Sequence, residues 1–393
     1  MNGNKYRQGV ISQGIKTPII KQGDDLQEIV ISSVVEQAVG GIDDGDIVCI
    51  TEAVVAISQG NFVTAEDIQK SVMNVFPGAK ELVLIDPIQS RNRFMDVLKA
   101  IAKTPELEKI YIVMTYPTDE VGNRLVSDMS LKWERVNPYT DIFTVSEFYQ
   151  KFGTPKHPFT GKNYIAEYLN ACEGKGEIIL ANNFSRIPDY TSCDNFLICS
   201  IHRIAETRMD LQIGGAKNVY ELSDIMAEPI NGSGYNKIYG LYGSNKMSGD
   251  KLKLMPRDCQ KFVEEIGLKF ASRYHKKIEV MVYGDGAFKD PVGGIWELAD
   301  PETTLATTPG LCGTPQEVKL KYIASEYQDK TPEEIEGIVA REKLKRIASH
   351  DISKDTSLGT TPRQITDLIA SLADLTTGSG DRQTPVVLIK NYL

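Results

Sequence analysis

The sequence lacks nearly every short signature that marks common nucleotide, hydrolytic and metal enzymes. It has no G-x-x-x-x-G-K-[ST] loop, which excludes the P-loop mode of phosphate binding, and no G-x-S-x-G elbow or kinase H-R-D or D-F-G set. Histidine is scarce. His157, His202, His275 and His350 form no H-E-x-x-H pair and no cluster, so they read as surface or packed side chains rather than ligands. The six cysteines, Cys49, Cys172, Cys193, Cys199, Cys259 and Cys312, have no C-x-x-C spacing and read as reduced, mostly buried thiols. No apolar run approaches the roughly 18 residues that a membrane-spanning helix needs. The first ten residues are polar, so a cytoplasmic protein without membrane contact is expected. A surplus of cations is also missing. Lys and Arg number 44 against 53 Asp and Glu, a net charge of −9, which argues against a nucleic-acid surface and still leaves room for a local basic pocket.

What is present is an average globular composition on a chain long enough for two or three units. The stretch 1–64 enters a helix behind Asp24 and Asp25, either of which suits an N-cap. It then turns at Asp44-Gly45-Asp46 into the apolar run Ile47-Val48-Cys49-Ile50. Glu52 breaks that run before Ala53-Val54-Val55-Ala56-Ile57, a second strand or short helix. It is either a solvated break residue or one that faces a site.

From 65 to 230 strand and helix alternate. Strands are expected near 82–85, 110–114, 142–145, 178–180 and 196–199, and a helix near 94–102, which is a βαβ pattern with a parallel sheet. Ligands gather at the carboxyl ends of such strands. Two of these ends carry polar clusters, one with Arg91 and Arg93, forked donors for phosphate or carboxylate, and one with Asp119 and Asn123. The stretch 231–300 opens on glycines, Gly232-x-Gly234 and Gly240-Leu241-Tyr242-Gly243-Ser244-Asn245. Lys237 stands where a dinucleotide fingerprint needs its third glycine. A charged helix over 332–348 dominates 301–357, and 358–393 reads as helix, glycine turn and strand. The expected class is therefore α/β, a mixed body carrying an inserted parallel-sheet region.

The most suggestive turn is Gly284-Asp285-Gly286, which follows the strand-like Lys277-Ile278-Glu279-Val280-Met281-Val282. Two glycines beside a carboxylate allow a charged ligand to approach closely, and a carboxylate with waters is the ligand set that magnesium or manganese prefers. The same nonapeptide also fits an ordinary solvated turn.

Three separated segments, in order, resemble the GTP-dependent coenzyme F420-0:gamma-glutamyl ligases. The first is Lys21-Gln22-Gly23-Asp24-Asp25-Leu26 with Asp44-Gly45-Asp46 and Ser58-Gln59-Gly60. The second is Gly240 to Asn245 with the Asp285 turn. The third is Asp367 to Asp374 leading to Gly378-Ser379-Gly380-Asp381 and the Pro385-Val386-Val387 strand. Tyr242 stands where the family pattern carries an acid, and the long 65–231 stretch is similar to a long bacterial branch.

The resemblance implies a homodimeric ligase that joins L-glutamate to a substrate carboxylate through an acyl phosphate made from GTP or ATP. It implies Mg2+ or Mn2+ on Asp285, and Ser244, Asn245, Gly378, Ser379 and Gly380 near nucleotide or phosphate. Arg91 and Arg93 are candidate clamps from their placement alone, and Asp367 is either part of the site or an exposed charge. A folate or pterin ligase with the same chemistry, and a non-catalytic nucleotide or metabolite sensor suggested by Tyr242, stand as alternatives.

Overall fold

The computed structural model describes residues 9–87, 94–118, 124–157, 161–284, 287–289, 296–298, 303–314, 317–349, 364–377 and 382–393. In chain order the elements begin with β1 (Ile11–Ile15), α1 (Leu26–Gln37), β2 (Ile47–Thr51), α2 (Glu52–Ser58), β3 (Phe62–Thr64) and α3 (Ala65–Val75). The alternating region follows with β4 (Glu81–Ile85), α4 (Met95–Ala102), β5 (Lys109–Met114), α5 (Asp128–Trp133), β6 (Ile142–Thr144), α6 (Val145–Phe152) and α7 (Tyr164–Ala171). It continues through β7 (Gly176–Ala181), β8 (Asn195–Ile198), α8 (Ile204–Ile213) and β9 (Asn218–Glu221). After these come β10 (Asn245–Lys246), β11 (Lys251–Lys253), α9 (Cys259–Tyr274), β12 (Glu279–Tyr283), β13 (Ala287–Lys289), β14 (Trp296–Leu298) and β15 (Thr304–Thr307). The remainder is α10 (Leu320–Glu326), α11 (Pro332–Ser349), α12 (Ile365–Thr376) and β16 (Val386–Lys390). The class is α/β, as the alternation of runs predicts.

Two sheets organise these elements. The first has the order β1-β16-β2-β12-β15, with β2 and β12 parallel and the other pairs antiparallel. Its strands alternate strictly. Val48, Ile50, Val280, Val282, Val386 and Leu388 meet α1 and α9 on one face, whereas Ile47, Cys49, Met281, Tyr283, Val387 and Ile389 meet α12 on the other. Burial on both faces explains why Ile47-Val48-Cys49-Ile50 reads as an unbroken apolar run. The second run of that segment is the helix α2, not a strand.

The second sheet has the order β6-β7-β5-β4-β8-β9, and all its pairs are parallel except β6 with β7. Helices cover both faces. Leu82, Leu84, Ile110 and Ile112 pack toward α4 and α7, and Val83, Ile85, Val113 and Ile198 toward α8. A smaller antiparallel ribbon, β10-β11-β3, packs Leu252 and Val63 into the core of this second body.

Several of the family-like motifs are architectural. Asp25 is the N-cap of α1, its carboxylate accepting from the Glu28 N–H at 3.2 Å, and Asp24 instead accepts from the Lys21 N–H at 2.7 Å. In Asp44-Gly45-Asp46, Asp44 accepts from the Lys277 N–H at 2.6 Å and Asp46 holds the buried Lys390 ammonium at 2.6 Å. This turn lies at the amino end of β2, away from the carboxyl edge where α2 begins.

Two of the glycines after 231 are fixed by close packing. A Cβ on Gly234 would lie 2.7 Å from the Phe62 backbone nitrogen and oxygen and from Asn61 Oδ1. At Gly240, φ is +52° and a Cβ would meet three carbonyl oxygens at 2.5 Å. Gly234→Ala is therefore expected to cost about 1–3 kcal/mol, because backbone must shift to admit the methyl group. Urea unfolding is the check, and an unchanged midpoint would show that the segment yields freely.

Candidate active site

The carboxyl ends of β2 and β12 lie side by side, with Thr51 opposite Tyr283 in a parallel register. Four segments remote in sequence meet there. The Thr51 N–H donates to the Pro385 carbonyl at 3.0 Å, and the Gly284 N–H donates to the Thr303 carbonyl at 3.0 Å. The Tyr283 phenol shares a short hydrogen bond with the Thr377 hydroxyl at the end of α12.

Glu52 is the first residue of α2, directly after Thr51, and only 5% exposed. Burying an unpaired carboxylate is costly, so it requires a partner. Lys253 on β11 supplies it, with Nζ 2.5 and 2.6 Å from the two carboxylate oxygens and only 3% of the residue exposed. Sequence reading missed Lys253. Of the two expectations for Glu52, the solvated break residue is incorrect, because α2 folds its carboxylate inward against β11.

Asn245 joins this group through the sheet. It opens β10 and sits opposite Lys253 in the antiparallel register, so the two side chains share one face of the ribbon. Ser244 precedes it and is buried, its N–H donating to the Leu241 carbonyl at 3.2 Å. Tyr242 points elsewhere. Its ring belongs to the core of the second sheet's body, its hydroxyl has no hydrogen-bond partner among the described residues, and burial holds the phenol well above its usual pKa. Asp367 is exposed on the first turn of α12, whose buried face is Ile369, Ala370 and Ala373.

Asp285, Arg91, Arg93, Asp119, Asn123, Gly378, Ser379 and Gly380 lie outside the described residues. The described residues flanking the two arginines, Pro87 and Phe94, belong to the second sheet's body. Among the described residues no group of three His, Cys, Asp or Glu side chains is placed to hold a metal ion. Glu52 is already engaged by Lys253, so the described donors do not by themselves fit magnesium or manganese. Five of the six thiols are buried and Cys312 is exposed; burial pushes Cys172 and Cys259 up to about 12, where they are poor nucleophiles. No helix among the described residues is long and apolar enough to cross a membrane.

Glu52 and Lys253 form a buried ion pair at the carboxyl end of β2, with the half-buried Asn245 opposite Lys253 on the ribbon. A search of curated proteins finds no match. A family model described as F420-0:Gamma-glutamyl ligase matches residues 14–391, a span that takes in β2, α2, β11, β12 and β16. The chain thus belongs to the F420-0:gamma-glutamyl ligase family, a family of ligases.

Proposed function

We propose that this chain joins L-glutamate to a carboxylate acceptor of the F420-0 type, using GTP or ATP, at the β2–β12 carboxyl edge. The observation that carries the reading is the family match over 14–391, together with the gathering of Glu52, Lys253, Asn245, Tyr283 and Thr377 from distant segments into that region. In the proposed reaction the acceptor carboxylate attacks the terminal phosphorus, and the nucleoside diphosphate leaves as the acyl phosphate forms. The glutamate amine then attacks the acyl carbon, inorganic phosphate departs, and the amine gives up a proton as the amide forms.

Each step moves negative charge between oxygens, so fixed positive charge in a dry site is what the protein must contribute. Lys253 is the proposed cation, and for it to act the reacting phosphate must share its ammonium with Glu52. Asn245 is proposed to contact a phosphate or carboxylate oxygen on the same face. Ser244, Gly378, Ser379 and Gly380 remain proposed phosphate contacts, and Arg91 and Arg93 proposed clamps. Asp285 is the proposed carboxylate for magnesium or manganese, which when bound supplies neutralisation of the polyphosphate.

The test incubates purified protein with GTP or ATP, magnesium or manganese, glutamate and a panel of F420-like and folate-like carboxylates. Phosphate release is expected only with an acceptor, in step with a product one glutamyl unit heavier. The panel also separates the folate or pterin reading. Release without an acceptor, or none across the panel, would overturn ligase activity, and tight nucleotide binding without turnover would favour the sensor.

A further inference from the structure

The 18-residue helix α11 packs against the seven-residue α10, and none of its residues from 332 to 345 is buried. Most helical stability in proteins comes from packing an apolar face, so a helix of this length with so little burial lacks a partner. At about 100° of turn per residue, the half-buried Ile335, Ile338, Val339 and Glu342 fall on one face. The opposite face carries Glu333, Gly337, Ala340 and Leu344, all exposed, Leu344 by 66%. A Cβ added to Gly337 would meet nothing within 4 Å, so this outer face is open.

The borders of that face are charged. Glu334 and Arg341 run along one, and Glu336 and Lys343 along the other, so acids occupy the first half of the helix and bases the second. The helix dipole favours this order only within the first and last turns. It does not account for Glu336, Arg341 and Lys343, which lie further in. None of these three has an ion-pair partner among the described residues, and Glu334 meets Lys330 only at 4.0 Å.

We propose that the outer face of α11 is an interface with a second copy of this chain, the two helices lying antiparallel about a two-fold axis level with Ile338 and Val339. In that register Gly337 lies opposite the partner's Ala340, and the small side chains let the backbones approach. An isologous antiparallel pair sets each border against the same border of the other copy. Glu334 therefore meets the partner's Arg341 along one border and Glu336 the partner's Lys343 along the other, each pair occurring twice by symmetry. A parallel pair would gather the acids at one end and the bases at the other. The second copy is the occupant because one helix supplies both halves of the match.

Sedimentation velocity on the full chain in low salt tests the proposal with two charge-reversed variants, Glu334→Lys with Glu336→Lys and Arg341→Glu with Lys343→Glu, each matching the wild type in circular dichroism. Each variant alone is expected at half the mass of the wild-type particle, because like charges then face one another. An equimolar mixture of the two should return to the wild-type mass. Raising the salt to about 0.5 M should weaken wild-type association about tenfold or more. Gly337→Gln, which strengthens the helix itself while filling the contact, should weaken association as well. A charge-reversed variant that keeps the wild-type mass when alone, or a mixture that stays at half that mass, overturns the interface.

Discussion

Lys253→Met lowers stability by about 3–5 kcal/mol, the cost of leaving a buried carboxylate without its counter-ion. Equilibrium urea unfolding reads this directly as a reduced midpoint at similar slope. The physical cause is asymmetric. Glu52 and Lys253 are each nearly inaccessible, so together they exchange hydration for one another, whereas either alone pays desolvation with nothing in return. The double replacement Glu52→Leu with Lys253→Met should therefore recover most of the loss, because two apolar side chains of similar volume fill the space without a charge to solvate. The same pair of variants separates architecture from chemistry. A double variant that is stable and inactive places the ammonium among the reacting groups, and one that is stable and fully active reduces the pair to a fold element.

Asp285→Asn is expected to lower turnover about 10²- to 10³-fold, the range seen when one positioned electrostatic group is removed from a transition state. Stability should barely move, since the replacement is isosteric. Replacing the carboxylate by an amide keeps size and removes charge, so manganese binding in the presence of GTP, followed by electron paramagnetic resonance, should weaken in parallel with rate. Full activity together with unchanged manganese affinity would remove Asp285 from the metal assignment.

Much of the fold could be read from the chain because burial on both faces leaves long apolar runs. β2, β4, β5, β8, β12 and β16 are all announced this way, and α9 and α11 by their length between breakers. The short ribbon strands were not legible. Lys251-Leu252-Lys253 resembles a solvated alternation, and nothing local distinguishes the lysine that is buried from the one that is exposed. The difference arises from Glu52, 201 residues earlier in the chain, whose helix lies against that strand. Glu52 itself was half visible, since a lone acid between two apolar runs must either escape to water or find a cation.

The glycine-rich stretch gave the opposite lesson. Its composition suggested a loop around a ligand, yet Gly234 and Gly240 are required by backbone atoms of the protein itself. Tyr242, compared by sequence with a metal-binding acid, is a core residue. The order β6-β7-β5-β4-β8-β9 was not legible, because strand order is not written in any local pattern.

The order β1-β16-β2-β12-β15 also sets a timetable for synthesis. The six-stranded sheet draws all its strands from residues 81–221, so it can assemble while the ribosome is still adding the remainder. The five-stranded sheet cannot. β16 lies between β1 and β2 and pairs with both, so β1 waits without a neighbour until residue 390 has emerged. The edge that carries Glu52 is consequently among the last parts of the molecule to take shape, and a nascent chain holds a finished second body well before it holds a working first one.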